Sequence, residues 1–430
     1  MDRKPLNKSD SGKTVPNILD AKRPRLYNTN AKTALLLPIA VALMLPLLGA
    51  EGGVALLMMI LLSTFVYIRY PGLRLILLLA LGARFAVAVI DSHFDFLPYG
   101  WDNFYTSALQ IKHNLQGGYP VFYRVPFALP MKSYALFSSL VLWTLGDSEL
   151  YLRLLNGFFG VLAAVRVYDT AREVDLGPRS ARLALMLSAF WPSFVLFQSL
   201  NMREALILFL SLDLLWRLVR LVKGERGWLL LQVAVEMVLL ASLRIQNLLV
   251  YGLILLLFWL VRQRRSGRGR ESMRVIALGG LVLLVVGAGS LTGTVLRYLT
   301  VEQQWRAAGG SAYLAGQVYS SWLDVLLWAP VRFLHFTFGP FPWSVNNIFM
   351  ALGAVESCLL FGLALFALLG VREKGIRDAV LLLLLFAAVG LFANAIVDSN
   401  YGTAIRHKMN YIVIVFTFAA YSLRNLRLKW

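Results

Sequence analysis

The sequence predicts an all-α, polytopic membrane protein with about twelve transmembrane helices, and three observations carry that prediction. Hydrophobic residues make up 58% of the 430 residues, and charged residues only 15%. Apolar runs close to the ~20 residues that a helix needs to cross a bilayer recur from end to end. The Lys and Arg residues stand in short clusters between these runs, which is typical of cytoplasmic loops.

The predicted spans are residues 34–50, 54–69, 73–90, 151–168, 181–198, 203–222, 228–243, 246–261, 275–297, 347–370, 378–397 and 408–423. Every joint after an even-numbered span is basic, so the positive-inside rule places both termini in the cytoplasm. Residues 1–32 are basic and proline-containing and lack the apolar core of a signal peptide. We expect a disordered cytoplasmic tail there, followed by a single transmembrane domain over residues 33–430.

The net charge of +19 does not indicate a nucleic-acid partner, because the basic residues mark inner loops of a membrane protein. The chain has one cysteine, Cys358, within an apolar run. It therefore has no intramolecular disulfide and no cysteine-based metal site.

Two large loops, residues 91–150 and 300–346, are predicted on the outer face. Each contains an apolar segment, 129–145 and 323–341 respectively. If either segment crossed the membrane alone, the basic loops that follow it would lie outside, against the positive-inside rule. We expect both to be helices that lie at, or re-enter, the outer face. The alternative is that both are ordinary spans and that other spans are misplaced.

The first candidate for catalysis is Asp102, which follows a complete span. A carboxylate there could accept a proton from an incoming hydroxyl in a partly dehydrated site. The alternative is a helix N-cap, since Asp before Asn-Phe-Tyr-Thr is a good cap. Asp91, Asp95 and His93 are candidate ligands for a divalent cation, although solvated loop residues are the simpler interpretation.

Basic residues on the outer face need an explanation of their own, because they oppose the orientation rule. Arg203 and Glu204 open one span, Arg244 lies between two spans, and Arg406, His407 and Lys408 precede the last. Separate positive charges converging from different helices would suit a phosphate or pyrophosphate ester. A self-contained Arg203–Glu204 ion pair and snorkelling to lipid headgroups are the alternatives.

Several motifs follow one another in an order that resembles a known superfamily. They are Asp102-x-x-Tyr105-x-x-Ala108, Leu145-Gly-Asp-Ser-Glu149, Arg153-Leu-Leu-Asn156, Val167-Tyr-Asp-Thr-Ala-Arg172, Trp191-Pro-Ser-Phe-Val-Leu-Phe197 and Arg203-Glu204. Together they resemble the GT-C superfamily of membrane glycosyltransferases that use polyprenyl-phosphate sugars, in particular protein O-mannosyltransferase and aminoarabinose transferase relatives.

The resemblance implies that Asp102 is the catalytic base and that Arg203, Arg244 and Arg406 contact the donor phosphate. Tyr105, Glu204, His407 and Lys408 complete the predicted substrate-binding set. The reaction would be an inverting displacement at the anomeric carbon of the lipid-linked sugar. The family often has Asp-Glu where this chain has Asp102-Asn103, which speaks against a two-carboxylate metal site, and the first two spans are additional to the usual start.

The predicted partners are therefore a polyprenyl-phosphate-linked sugar donor, membrane lipids, and a glycan, lipid or protein acceptor. The sequence assigns no certain cofactor, and a divalent cation stays an open alternative. A polymerase of lipid-linked repeat units and a transporter or flippase of a lipid-linked saccharide are the alternative functions. The loop charges suit a bacterial cytoplasmic membrane with the chemistry on its outer face.

Overall fold

The computed structural model describes residues 52–97, 103–126, 129–265, 291–307 and 309–424. Within these ranges the chain forms fifteen α-helices and one short 3₁₀ turn, Pro342–Ser344. The only β pairing in the described ranges is an isolated bridge between Ala312 and Asn400. The prediction of an all-helical chain is confirmed for the described residues.

In chain order the helices are α1 (Gly52–Arg69), α2 (Arg74–Phe94), α3 (Phe104–Gln116), α4 (Leu129–Leu145), α5 (Glu149–Glu173), α6 (Pro178–Phe190), α7 (Pro192–Gln198), α8 (Glu204–Val222), α9 (Trp228–Leu243), α10 (Gln246–Arg265), α11 (Leu291–Arg306), α12 (Trp322–Phe338), α13 (Ile348–Lys374), α14 (Asp378–Val397) and α15 (Tyr401–Leu423).

Six of these helices are long and apolar enough to cross a membrane, namely α1, α2, α5, α10, α13 and α14. The bent pair α6 and α7 would make a seventh. Helices form at the other predicted spans within the described residues, but α9 has only 16 residues. The predicted span 34–50, most of 275–297 and the tail 1–32 lie outside the described residues, so twelve crossings stay a prediction.

Helix α8 shows how a charged helix can belong to an apolar bundle. Its 19 residues include Asp213 and Arg217, which are joined at 2.8 Å. Arg217 also contacts Glu236 of α9 at 2.6 Å, and Arg166 of α5 pairs with Asp213. Ionisable groups in such a bundle pair with one another because an isolated charge there is costly.

Helix α15 lies at the centre of the bundle. It packs against α13, α6 and α14, and its residues from Lys408 to Val413 are all buried. A helix that is buried nearly all round needs apolar residues on every face, which explains its mostly apolar composition. Helices α5 and α8 form a second close pair beside it.

The predicted span 181–198 is one apolar run in the sequence but two helices in the structure. Helices α6 and α7 meet at Pro192 with a bend of 56°. Pro192 has no N–H and cannot continue the ladder of hydrogen bonds. In a continuous helix Ser193 N–H would bond to Ala189 O; instead it donates to Glu356 Oε1 at 2.6 Å, and Ala189 O accepts from Arg84 Nη1 at 2.8 Å.

The two segments predicted as interfacial or re-entrant both form helices, α4 and α12. On α12, Val325, Ala329, Arg332 and Phe336 are buried, whereas Leu323, Leu326 and Leu327 are exposed. An exposed face rich in leucine fits contact with lipid. The helical state of both segments is confirmed, and their depth in the membrane stays a prediction.

Candidate functional site

Most of the basic residues predicted on the outer face line one cavity of ≈ 230 Å³, which we call the basic cavity. Its polar and aromatic lining consists of Phe104, Arg203, Glu204, Arg244, Gln246, Tyr298, Trp305, Arg306, Asn394, Thr403, Arg406 and His407. Four arginines thus face a single enclosed space.

The helix ends bring these arginines together from distant parts of the sequence. Arg203 immediately precedes α8, and Arg244 joins α9 to α10. Arg306 ends α11, while Arg406 and His407 lie in the second turn of α15. Because α8 and α15 both begin here, the positive ends of two helix dipoles add to the charge of the arginines.

Among the described residues, Glu204 is the one carboxylate that lines the basic cavity. It is buried, and its Oε1 accepts a hydrogen bond from Arg244 Nη2 at 3.3 Å. Arg203 Nη1 donates to Leu243 O at 2.8 Å, which ties the start of α8 to the end of α9. These contacts hold Arg203 and Arg244 on the cavity wall.

Asp398 lies behind the wall of the basic cavity and contacts two residues that line it, Arg306 and His407. It is fully buried, and its two oxygens contact Arg306 Nη1 at 2.8 Å and His407 Nδ1 at 2.6 Å. Burial alone would raise the pKa of Asp398, but His407 and Arg306 hold that pKa well below its usual range. Its backbone carbonyl also accepts from the buried Arg332 at 2.9 Å.

The charge balance of the basic cavity favours an anionic ligand. Among the described residues, three carboxylates oppose the four arginines: Glu204 on the wall, Asp398 behind it, and Glu302, which contacts Arg306 at 3.4 Å. The positive charges of these groups still outnumber the negative ones. Guanidinium groups bind phosphate oxygens through paired hydrogen bonds. The cavity can therefore hold a phosphate or pyrophosphate group and stabilise its charge.

A second cavity of ≈ 200 Å³, which we call the polar cavity, lies next to the first. It is lined by Asp91, Asp95, Leu97, Asn103, Tyr105, Thr106, Glu149, Arg153, Leu200, Asn201 and Met202. Three carboxylates and one arginine give it the opposite charge. Asp91 is buried, pairs with Arg153 Nη1 at 2.5 Å and accepts from Leu97 N at 2.9 Å.

Two short stretches of chain form the partition between the cavities. Met202 lines the polar cavity and Arg203 the basic one. Likewise Asn103 and Tyr105 line the polar cavity, while Phe104 lines the basic one. Neighbouring residues of the chain thus face different cavities, so the two cavities lie side by side.

The predicted residues fall into four sets, of which the last, Lys408 and His93, lines neither cavity. Arg203, Glu204, Arg244, Arg406 and His407 come together in the basic cavity. Tyr105, Asp91 and Asp95 line the polar cavity, where Tyr105 Oη donates to Asp147 O at 3.0 Å. Asp102, predicted as the base, lies outside the described residues.

Lys408 and His93 line neither cavity. Lys408 is buried, and its Nζ donates to Thr337 O at 3.0 Å and to Gly339 O at 2.8 Å. His93 packs edge-on against Phe94. Among the described residues no three His, Cys, Asp or Glu side chains gather as a metal site would require.

The sequence did not predict two charged residues at the basic cavity, Arg306 on its wall and Asp398 behind it. Arg306 carries the same signal as Arg203, a basic residue in a segment predicted to lie outside. Asp398 lies between an apolar run and a basic segment in the sequence. That position alone does not predict that its carboxylate is buried and bound to Arg306 and His407.

Comparison with known proteins gives no assignment, since no family model, no curated protein and no solved structure matches the chain.

Proposed function

We propose that the protein is a membrane glycosyltransferase that moves a sugar from a polyprenyl-phosphate donor to a glycan, lipid or protein acceptor on the outer face of a bacterial cytoplasmic membrane. The convergence of Arg203, Arg244, Arg306 and Arg406 on one cavity is the observation that carries the proposal. It supports binding of the donor phosphate, which is the group that leaves in the reaction.

In the proposed reaction the acceptor oxygen attacks the anomeric carbon as the bond to the phosphate oxygen breaks. The electron pair of that bond passes to the phosphate, whose growing charge the arginines stabilise. The sequence resemblance gives Asp102 the role of base, which takes the proton of the acceptor hydroxyl. The anomeric carbon would then lie near the partition, with the donor phosphate on one side of it and the acceptor hydroxyl on the other.

Arg244→Gln tests the phosphate site, because it removes the cation and leaves a polar side chain. Losing a charged hydrogen bond of about 1.5–3 kcal/mol corresponds to roughly 10- to 100-fold weaker binding. We expect that loss for added polyprenyl phosphate, measured by native mass spectrometry of the purified protein. Arg262→Gln is the matched control, since Arg262 is half-exposed and pairs with Asp378 outside the basic cavity.

The activity is tested in cells that express wild type, Asp102→Asn or Arg244→Gln at matched protein levels. For a transferase, both variants accumulate a lipid-linked monosaccharide and lose one sugar from a surface glycan. Mass spectrometry of prenyl-linked saccharides and glycans reads both changes. Accumulation of a whole lipid-linked repeat unit would replace single-sugar transfer with polymerisation, and unchanged profiles in both variants would contradict an enzyme.

A further inference from the structure

We propose that His407 is a further catalytic residue, whose Nε2 gains a proton and donates a hydrogen bond to the donor phosphate as the bond from phosphate to sugar breaks. This role rests on the proposed function, because it concerns the phosphate that leaves in that reaction. It adds a distinction that the arginines alone do not make, between the phosphodiester of the donor and the phosphate monoester of the product.

The contacts of His407 determine which ring nitrogen carries a proton. Its Nδ1 lies 2.6 Å from Oδ2 of Asp398, a fully buried carboxylate whose other oxygen contacts Arg306 at 2.8 Å. A carboxylate accepts hydrogen bonds, so Nδ1 carries the proton and donates to Asp398. In the neutral ring Nε2 is then an acceptor with a free lone pair.

The ring of His407 lines the basic cavity, whereas Asp398 lies behind the wall. Because Nδ1 is directed at Asp398, the opposite edge of the ring, which carries Nε2, is the edge that faces the cavity. A lone pair on Nε2 repels a phosphate oxygen, while an N–H there binds it. A buried aspartate behind a histidine orients the ring and stabilises its imidazolium form.

Charged and titratable groups from several elements surround His407. They are Arg203 and Glu204 at the start of α8, Arg244 between α9 and α10, Tyr298, Glu302 and Arg306 of α11, Asp398 after α14 and Arg406 of α15. Burial lowers the pKa of His407 to about 4, against the raising effect of Asp398, and the positive charges of Arg244 and Arg306 lower it further. Without an anion beside it, His407 is therefore neutral near neutral pH.

The charge of the phosphate decides whether His407 gains a proton. The four arginines exceed the three carboxylates by one positive charge. A phosphodiester carries one negative charge and balances that excess, so nothing draws a proton to His407. A phosphate monoester approaches two negative charges near neutral pH and leaves one in excess, which an imidazolium at His407 balances.

This difference in charge develops during the reaction. As the bond from the anomeric carbon to the phosphate oxygen breaks, its electron pair adds one negative charge to the phosphate. His407 takes up one proton from water, the number that the acceptor hydroxyl gives up, and returns it when the phosphate leaves. A hydrogen bond that forms only as this charge develops lowers the barrier, because it stabilises the transition state more than the bound donor.

NMR can measure the protonation of His407 directly, because the chain has only four histidines. In full-length protein labelled with ¹³Cε1-histidine, the signal lost in His407→Gln belongs to His407. If that variant fails to fold, replacing the other three histidines one at a time assigns the signal by elimination. The probes are farnesyl phosphate, a monoester, and methyl farnesyl phosphate, a diester.

At about pH 7.5 farnesyl phosphate is mostly a dianion. We expect it to move the His407 signal from neutral imidazole to imidazolium, whereas the diester leaves the signal neutral. The signals of His93, His113 and His335 should not change, because these residues line neither cavity.

Affinities give a second measure. His407→Gln should weaken binding of farnesyl phosphate roughly 10- to 100-fold, the value of a charged hydrogen bond, and leave binding of the diester nearly unchanged. Because His407 gains a proton on binding, the affinity of wild type for farnesyl phosphate should fall as pH rises through the pKa of His407 in the complex, and the variant should lack this fall. His113→Gln is the matched control at an exposed histidine, and should bind both esters as wild type does.

Arg244→Gln separates this inference from the proposed function. If farnesyl phosphate binds wild type and is lost from Arg244→Gln while His407 stays neutral, the proposed role of His407 is wrong and the donor site stands. An equal response of His407 to both esters would also overturn that role. If farnesyl phosphate does not bind wild type at all, the donor site and the role of His407 fail together.

Discussion

At the scale of single residues, Arg84 shows how this bundle accommodates a buried cation. Its side chain is fully buried, and it donates to the carbonyls of Ala80 and Ala189 and twice to Gln198 Oε1, at 2.7 to 3.0 Å. All of these partners are neutral oxygens. Gly160 leaves the room for this arrangement, since a Cβ there would lie 2.2 Å from Gln198 Oε1.

Replacing Arg84 with Met should lower the stability of the protein substantially. The change leaves Ala189 O and Gln198 Oε1 without donors, at a cost of about 1–3 kcal/mol for each buried group. Thermal melting of the purified protein measures the effect. Arg74→Met on the same helix is the control, because Arg74 is less buried and bonds only to Tyr67 O. A comparable loss in both variants would mean that the hydrogen bonds of Arg84 are not what stabilises the bundle.

The same scale shows what the sequence could and could not predict of the site. Arg203, Arg244 and Arg406 were predicted because basic residues on the outer face are exceptions to the positive-inside rule. In the structure these three arginines line the same cavity. Lys408 carries the same signal but lies two positions after Arg406. Two residues of an α-helix are about 200° apart around its axis, so Lys408 points to the opposite side.

At the scale of elements, apolar runs predicted where helices lie but not where they break. Residues 181–198 form one largely apolar run. The bend is stable because Arg84 donates to Ala189 O and Glu356 accepts from Ser193 N–H, the two backbone groups that the bend leaves without a helical partner. Arg84 and Glu356 lie far away in the sequence. Pro192 was the available local signal, because proline interrupts a helix wherever it stands beyond the first turn.

Glu356→Leu should destabilise this bend. It removes the acceptor of Ser193 N–H, and an unsatisfied buried N–H costs about 1–3 kcal/mol. Glu356→Gln keeps an oxygen at the same place and should lose much less. Melting temperatures of the two variants compare them, and equal losses would mean that the charge of Glu356, not its bond to Ser193, matters.

Helix α13 approaches the backbone of α15 most closely at Gly370. A Cβ at Gly370 would lie 2.1 Å from the backbone oxygen of Phe418, which cannot move aside as a side chain could. Gly370→Ala should therefore destabilise the protein by about 1–3 kcal/mol.

Gly362 provides the control on the same helix, because a Cβ there would meet nothing within 4 Å. Gly362→Ala should be neutral or stabilising by up to about 1 kcal/mol, since alanine is the better helix former. Similar melting temperatures for the two alanine variants would contradict close helix contact at Gly370.

At the scale of the whole molecule, the charged residues at the two ends of the bundle have different surroundings. One end holds the two cavities, and there the charges face enclosed space. At the other end Lys223 pairs with Glu173, Arg262 with Asp378 and Arg424 with Glu373. The basic excess of the joints at that end is what the positive-inside rule associates with the cytoplasm.

This asymmetry predicts that the cavities open to the outer face, and cysteine labelling tests it. In a Cys358→Ser background, a cysteine at Asn346 reports the cavity end and one at Glu225 the other end, since both positions are exposed. A membrane-impermeant maleimide added to intact spheroplasts should label the first and reach the second only after permeabilisation. The reverse pattern would put the basic cavity in the cytoplasm. Soluble nucleotide sugars are available there, so the site would no longer require a lipid-linked donor.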